Sequence, residues 1–211
     1  VYGGIEALTI FDHVFVPNEN IFLNGEVDFA GMLVELFAGG HRNSYGGCKS
    51  GVGDVAIGAA SLIAQYNGTE KASHIKDKLV EMTQLNEQLY GLGIASGAEG
   101  WKTKAGNYMV DLLLANVCKL NVTRYPYEII RLMEDIAGGI MVTAPSEADL
   151  KSPEVGHYIE KYLVGQDVNA ENRLRCLRLC ENLALGTGAV GYRTESMHGA
   201  GSPQAQKVMI T

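Results

Sequence analysis

One stretch near the start of the chain, Ile5-Glu6-Ala7-Leu8-Thr9-Ile10-Phe11-Asp12-His13-Val14-Phe15-Val16, is rich in β-branched and aromatic residues. It closes on Pro17-Asn18-Glu19-Asn20, so it reads as one extended strand, or two short ones, ending in a turn. No later run is a comparable partner. A strand without neighbours exposes a row of unpaired backbone donors and acceptors, which native proteins seldom tolerate. The expectation is that its partners lie on an N-terminal portion of a longer polypeptide. Residues 1–25 are then the end of a middle β domain, and residues 26–211 a C-terminal helical domain.

From Val27 the apolar residues recur at helical spacing. Val27 to Phe37 is one such run, with Asp28 placed to accept at its N-terminus. Cys48 to Tyr66 follows, with small residues on one face, and Asn67-Gly68 stops it. Thr69 is expected to cap a segment reaching about Tyr90, with Leu79, Met82, Leu85 and Leu89 inward. Further runs cover Gly106–Leu120, Tyr125–Ala137 and Asn169–Leu185, and Ser152-Pro153-Glu154 begins a short helix. The glycine-rich tail from Gly186 to Gln204 has no clear period and reads as a loop that approaches a ligand. The fold class is mainly α: five or six bundled helices preceded by a fragment of sheet.

With 46% hydrophobic residues the chain is not disordered. A net charge of −7 gives no global support for a nucleic-acid footprint or an anionic-membrane face. Asp54 and Asp111 interrupt the best apolar runs, so no membrane span is expected. Four scattered cysteines, Cys48, Cys118, Cys176 and Cys180, point to a reducing cytosol rather than a disulfide scaffold.

Chemistry concentrates in two places. In His41-Arg42-Asn43-Ser44-Tyr45-Gly46-Gly47-Cys48-Lys49, a helix brings imidazole, phenol, thiol and ammonium to one side. Imidazole and thiolate are metal ligands, and a phenol or ammonium can donate to a leaving oxygen. The glycine pairs there make sense if a cofactor comes close; the plainer alternative is a polar stripe containing a packed thiol. In Tyr192-Arg193-Thr194-Glu195-Ser196-Met197-His198-Gly199, Glu195 is either a base whose pKa is raised by burial or a loop carboxylate capping a turn. Gly138-Gly139 is a helix stop that can also admit a pyrophosphate. Cys176 and Cys180, four apart, read as buried free thiols.

These residues carry a resemblance. Phe11-Asp12-His13-Val14-Phe15-Val16-Pro17 resembles the strand leading into the C-terminal helical domain of acyl-CoA dehydrogenase-like flavoproteins. Ala137-Gly138-Gly139 sits where that superfamily sets a Gly-Gly turn against FAD of a neighbouring subunit. His41-x6-Cys48, Tyr45, Lys49 and the segment from Tyr192 to Pro203 look like the 4-hydroxybutyryl-CoA dehydratase (vinylacetyl-CoA delta-isomerase) family, whose members carry FAD and a [4Fe–4S] cluster. The resemblance implies an oxygen-sensitive cytoplasmic lyase, a homotetramer, that converts 4-hydroxybutyryl-CoA to crotonyl-CoA and water. The route it implies is a flavin radical one, with cluster iron as Lewis acid. By resemblance His41 is an iron ligand and a base, and Cys48 is an iron ligand. Two further cysteine ligands belong to the N-terminal portion. Tyr45 and Lys49 assist at the hydroxyl or hold geometry, Glu6 and Glu195 serve flavin and proton transfer, and Gly138 and Gly139 contact FAD. Two other readings stay open: a flavin-dependent hydroxylase of the 4-hydroxyphenylacetate 3-monooxygenase type, in which His41-x6-Cys48 is incidental, and a non-catalytic helical assembly module.

Overall fold

The structure, a computed structural model, describes residues 7–211. A single helix, α1 (Ala30–Tyr66), runs unbroken for 37 residues. Gly68, at φ +68°, turns the chain into α2 (Ser73–Ala98), which returns antiparallel so that Ser50 meets Asn86 and Gly46 meets Gly93. A short hairpin, β1 (Trp101–Lys102) and β2 (Tyr108–Met109), pairs Trp101 with Met109. Two longer helices follow, α3 (Leu112–Val122) and α4 (Tyr125–Ala137). The next segment holds α5 (Ile140–Thr143), α6 (Glu147–Leu150), α7 (Gly156–Tyr162) and α8 (Ala170–Ala184). The tail contains α9 (Thr187–Ala189), a π-helical turn (Val190–Thr194), α10 (Glu195–His198) and α11 (Pro203–Ile210). Helix α1 is the axis: α2, α3, α4 and α8 pack on it, and α11 lies on α3. Ile63, Met82, Ile129, Ile130, Met133, Leu177 and Cys180 form the centre of the main core.

Local chemistry sets several ends. The Asp111 carboxylate accepts from the Leu114 amide at 2.7 Å and starts α3, and Asn169 does the same for α8 through the Asn172 amide at 2.8 Å. Pro126 lies in the first turn of α4, and Gly138, at φ +77°, closes it. The fold class is therefore the expected one, mainly α.

Residues 7–16 pair with nothing among the described residues and run as irregular, exposed chain, the state of a strand sequence without its neighbours. Several other expectations are corrected. Asp28 caps nothing, since a 3-10 turn at Val27–Phe29 carries it into α1 without a side-chain cap. Thr69 lies in a turn, and α2 begins at Ser73 and continues to Ala98. The stretch after Ser152-Pro153 becomes helical only at Gly156. The tail is mostly helical rather than a loop: Gly186, Gly199 and Gly201 fall between its short helices, and Gly188 and Gly191 lie within them. Among the described residues no helix is long and apolar enough to cross a membrane.

Helix α1 survives its glycines because three of them are needed. Gly39, Gly46 and Gly53 are seven residues apart, so they share one face. A β-carbon at Gly46 would lie 2.7 Å from Gly93 Cα; one at Gly39 would overlap the Leu112 side chain, and one at Gly53 the Asn86 amide. These three glycines admit neighbouring helices. Gly40 and Gly47 have open space beside them. Gly46→Ala is expected to lower stability by about 1–3 kcal/mol through overpacking. Gly47→Ala, which meets nothing, is expected to raise it by up to about 1 kcal/mol through helix propensity. Urea unfolding of the two variants checks the contrast.

Candidate active site

Around α1 the chemically active side chains are graded from outside to inside. At about 100° per residue, Cys48 lies roughly 20° to one side of His41, with Tyr45, Lys49 and Arg42 roughly 40°, 80° and 100° to the other. His41 and Cys48 are accordingly exposed, whereas Tyr45, Lys49 and Arg42 are buried. The rings of Phe37, His41 and Tyr45 form a stair, with centroids 5.8 Å apart at the first step and 5.6 Å at the second.

The inner edge meets the tail. The Tyr45 hydroxyl donates to Glu195 Oε1 and the Lys49 ammonium to Glu195 Oε2, a contact spanning 146 residues of sequence. Lys49 also donates to the Gly191 carbonyl. The π-helical turn brings Glu195 round to this position, and Arg193 secures that turn by donating to the Ala184 carbonyl and lying 5.1 Å over the Tyr127 ring. From α3, the Lys119 ammonium donates to the Ser196 carbonyl at 2.7 Å and stands 5.0 Å over the Tyr45 ring. Arg42 donates to Asn116 Oδ1 at 2.6 Å and to the Ala200 carbonyl at 3.0 Å. Gly199 is required where it stands: a β-carbon there would overlap both the Tyr45 hydroxyl and the Glu195 carboxylate.

Two buried ammonium groups, Lys49 and Lys119, thus face one carboxylate, with the Arg42 guanidinium near Lys119. Burial pushes the Glu195 carboxyl up, but hydrogen bonds from Lys49 and Tyr45, aided by the charges of Lys49 and Lys119, outweigh it and hold the group below the usual glutamate range. Of the two readings of Glu195, a carboxyl raised by burial is not the state found in this chain alone. Lys119 is pulled down to about 8, chiefly by burial, with Lys49 and Arg42 adding repulsion and Glu195 opposing. Burial likewise raises the Cys48 thiol, against the pull of Lys49.

Of the expected site residues, His41, Tyr45, Cys48, Lys49 and Glu195 are brought to one region, and Glu6 lies outside the described residues. Gly138 and Gly139 end α4 with open space beside both. Among the described residues no group of three or more His, Cys, Asp or Glu is arranged to hold a metal ion. Cys176 and Cys180 are buried free thiols, as expected. A cleft of about 1000 Å³ at α6–α8, lined by Glu147, Lys151, Glu171, Arg175 and Arg178, shares no residue with the cluster. Arg42, Asn116 and Lys119 had not been singled out. A lysine within the apolar stretch Leu112–Val122 was the signal available for Lys119.

A protein-family model described as 4-hydroxyphenylacetate 3-hydroxylase C terminal (HpaB) matches residues 30–211. The chain belongs to the HpaB C-terminal family. It is 64% identical, over 99% of its length, to the 4-hydroxybutyryl-CoA dehydratase/vinylacetyl-CoA-Delta-isomerase of Clostridium aminobutyricum, of which it spans 44%. It is 27% identical, over 88% of its length, to the oxygenase component of 4-hydroxyphenylacetate 3-monooxygenase from Thermus thermophilus, spanning 39% of that relative. Among solved structures, an oxygen-tolerant archaeal 4-hydroxybutyryl-CoA dehydratase from N. maritimus matches with a TM-score of 0.93 and 59% identity, over 95% of this chain and 40% of that one. Oxygen sensitivity is therefore not common to every dehydratase of this kind. The oxygenase component HpaB in complex with FAD and 4-hydroxyphenylacetate matches with a TM-score of 0.86 at 23% identity, over 95% of this chain and 42% of that one, a likeness of fold. The chain thus spans less than half the length of these relatives.

Two outcomes follow from the charge arrangement. Glu195→Gln leaves Lys49 and Lys119 facing a neutral amide and is expected to lower stability by about 2–3 kcal/mol, moderated by the partial exposure of the carboxylate. The shift of the urea midpoint measures it. For Lys119, the folded chain releases its proton near pH 8 while the unfolded chain keeps it to about 10.5, so stability rises with pH across that window. Lys119→Met should flatten that rise when unfolding is compared at about pH 7.5 and about pH 9.5.

Proposed function

We propose that this chain is the C-terminal part of a 4-hydroxybutyryl-CoA dehydratase, a lyase that forms crotonyl-CoA and water and also acts as a vinylacetyl-CoA delta-isomerase. The observation that carries the reading is the division of α1: His41 and Cys48 on its exposed edge, Tyr45 and Lys49 on its inner edge against Glu195. An accessible imidazole and thiol two turns apart fit a metal centre completed by ligands from elsewhere. Two donors cannot hold an iron–sulfur cluster alone, which agrees with a chain spanning less than half of its relatives. The greater identity to the dehydratase than to the oxygenase component, 64% against 27%, favours this reading over the hydroxylase one.

In this reading His41 and Cys48 hold the [4Fe–4S] cluster together with two cysteines of the N-terminal portion. FAD lies nearby, with Gly138 and Gly139 meeting the FAD of a neighbouring subunit in a homotetramer. When bound, FAD supplies one-electron chemistry and the cluster a Lewis-acid iron for the leaving hydroxyl. The chain's own residues manage protons. Glu195, kept ionised by Lys49 and Tyr45, is a proton acceptor at neutral pH. The Tyr45 hydroxyl orients that carboxylate, and Lys49 fixes it from the other side. His41 is the second base, and Glu6 serves the flavin. The substrate is an acyl-CoA thioester and the compartment the cytoplasm.

The test uses the full-length protein purified without oxygen. Iron, acid-labile sulfide and FAD are expected in it, with crotonyl-CoA formed from 4-hydroxybutyryl-CoA. His41→Ala and Cys48→Ala should reduce bound iron, and Glu195→Gln should lower kcat by about 10²-fold or more with iron retained. Flavin without iron, together with hydroxylation of a phenol, would establish the hydroxylase instead. Unchanged turnover in all three variants would leave an assembly module.

A further inference from the structure

Lys119 is the buried ionisable group that the proton chemistry above leaves without a part. Its side chain is fully enclosed. Its ammonium donates to the carbonyl of Ser196, the residue after Glu195, and stands 5.0 Å from the centroid of the Tyr45 ring, which Lys49 also approaches, at 5.1 Å. One turn earlier on α3, Asn116 receives Arg42, which in turn holds the Ala200 carbonyl. Lys119 of α3 and Arg42 of α1, the latter seated on Asn116, therefore hold the tail at two carbonyls, four residues apart, on either side of Gly199.

Holding a carbonyl does not require a charge. A neutral amide would do it without placing a third cation beside Lys49 and Arg42, where desolvation and repulsion both disfavour one. The charge has two uses at this position: it is attracted to the π-face of Tyr45, and it faces the Glu195 carboxylate. We propose that Lys119 is a positioning residue that locks Tyr45 and Glu195 in their shared geometry, acting on the first through its ring and on the second through Ser196. The proposal rests on the reading that Tyr45 and Glu195 perform proton chemistry.

The test compares Lys119→Met, Lys119→Gln and Lys119→Arg in the full-length protein, alone and with Tyr45→Phe. Lys119→Met is expected to fold, to lower kcat by about 30-fold with KM changed less than about threefold, and to be partly rescued by arginine. In the Tyr45→Phe background the same change should cost less than about threefold, because the two residues act as one unit. A crystal structure of Lys119→Met should show the Tyr45 hydroxyl parted from Glu195. The proposal is overturned by an unaltered Tyr45–Glu195 contact, by a kcat within about threefold of the parent, by additive losses with Tyr45→Phe, or by failure of both neutral variants to fold. If the parent protein itself lacks dehydratase activity, the functional reading fails separately, and the crystallographic contact still decides the role of Lys119.

Discussion

A single carboxylate ties the tail to the first long helix. Glu195 is the partner of a lysine 146 residues earlier, and a second buried ammonium, Lys119, acts on it as well. Charges of one sign gathered out of water repel, and only the counter-charge makes the cluster tolerable. The tail is therefore placed by electrostatics as much as by apolar contact. The main core lies elsewhere, between the later part of α1 and helices α2, α4 and α8, while the cluster occupies the other half of α1 with little apolar cover beyond Tyr45, Leu89 and Val122. The apolar core and the charged cluster thus use different stretches of one helix.

Periodicity made the larger helices legible. Pro126, Gly138 and Asn169 marked helix ends through features of neighbouring residues, so their effect could be read from a short window; Asp111, read only as an interruption of an apolar run, starts α3 by equally local means. The glycines of α1 misled for the opposite reason. Gly39 and Gly46 look like breaks until the neighbours are known, because the property that requires them is the proximity of Leu112 and Gly93. The short helices of the tail were hidden in the same way: Arg193 reaches out from them to Ala184 and Tyr127, and Lys119 reaches in from α3. The strand composition at the start has no second side for a ladder among the described residues.

The candidate site was legible where residue types at helical spacing carry the meaning: His41, Tyr45, Cys48 and Lys49 follow from one helix. That Glu195 joins them could be suspected from its surroundings, but its ionisation state could not, because the cations that set it come from α1 and α3. The same helical framework is shared with oxygenase components at 23% identity. A shared scaffold does not by itself choose a chemistry.

The π-helical turn at Val190–Thr194 shows how a carboxylate can be delivered without disturbing the elements on either side of it. A π-turn takes up an extra residue within an otherwise helical path. The surplus is confined to five residues, and the short helix that begins at Glu195 follows directly. The neighbouring backbone is then fixed by its own contacts, Arg193 on the Ala184 carbonyl and Lys119 on the Ser196 carbonyl.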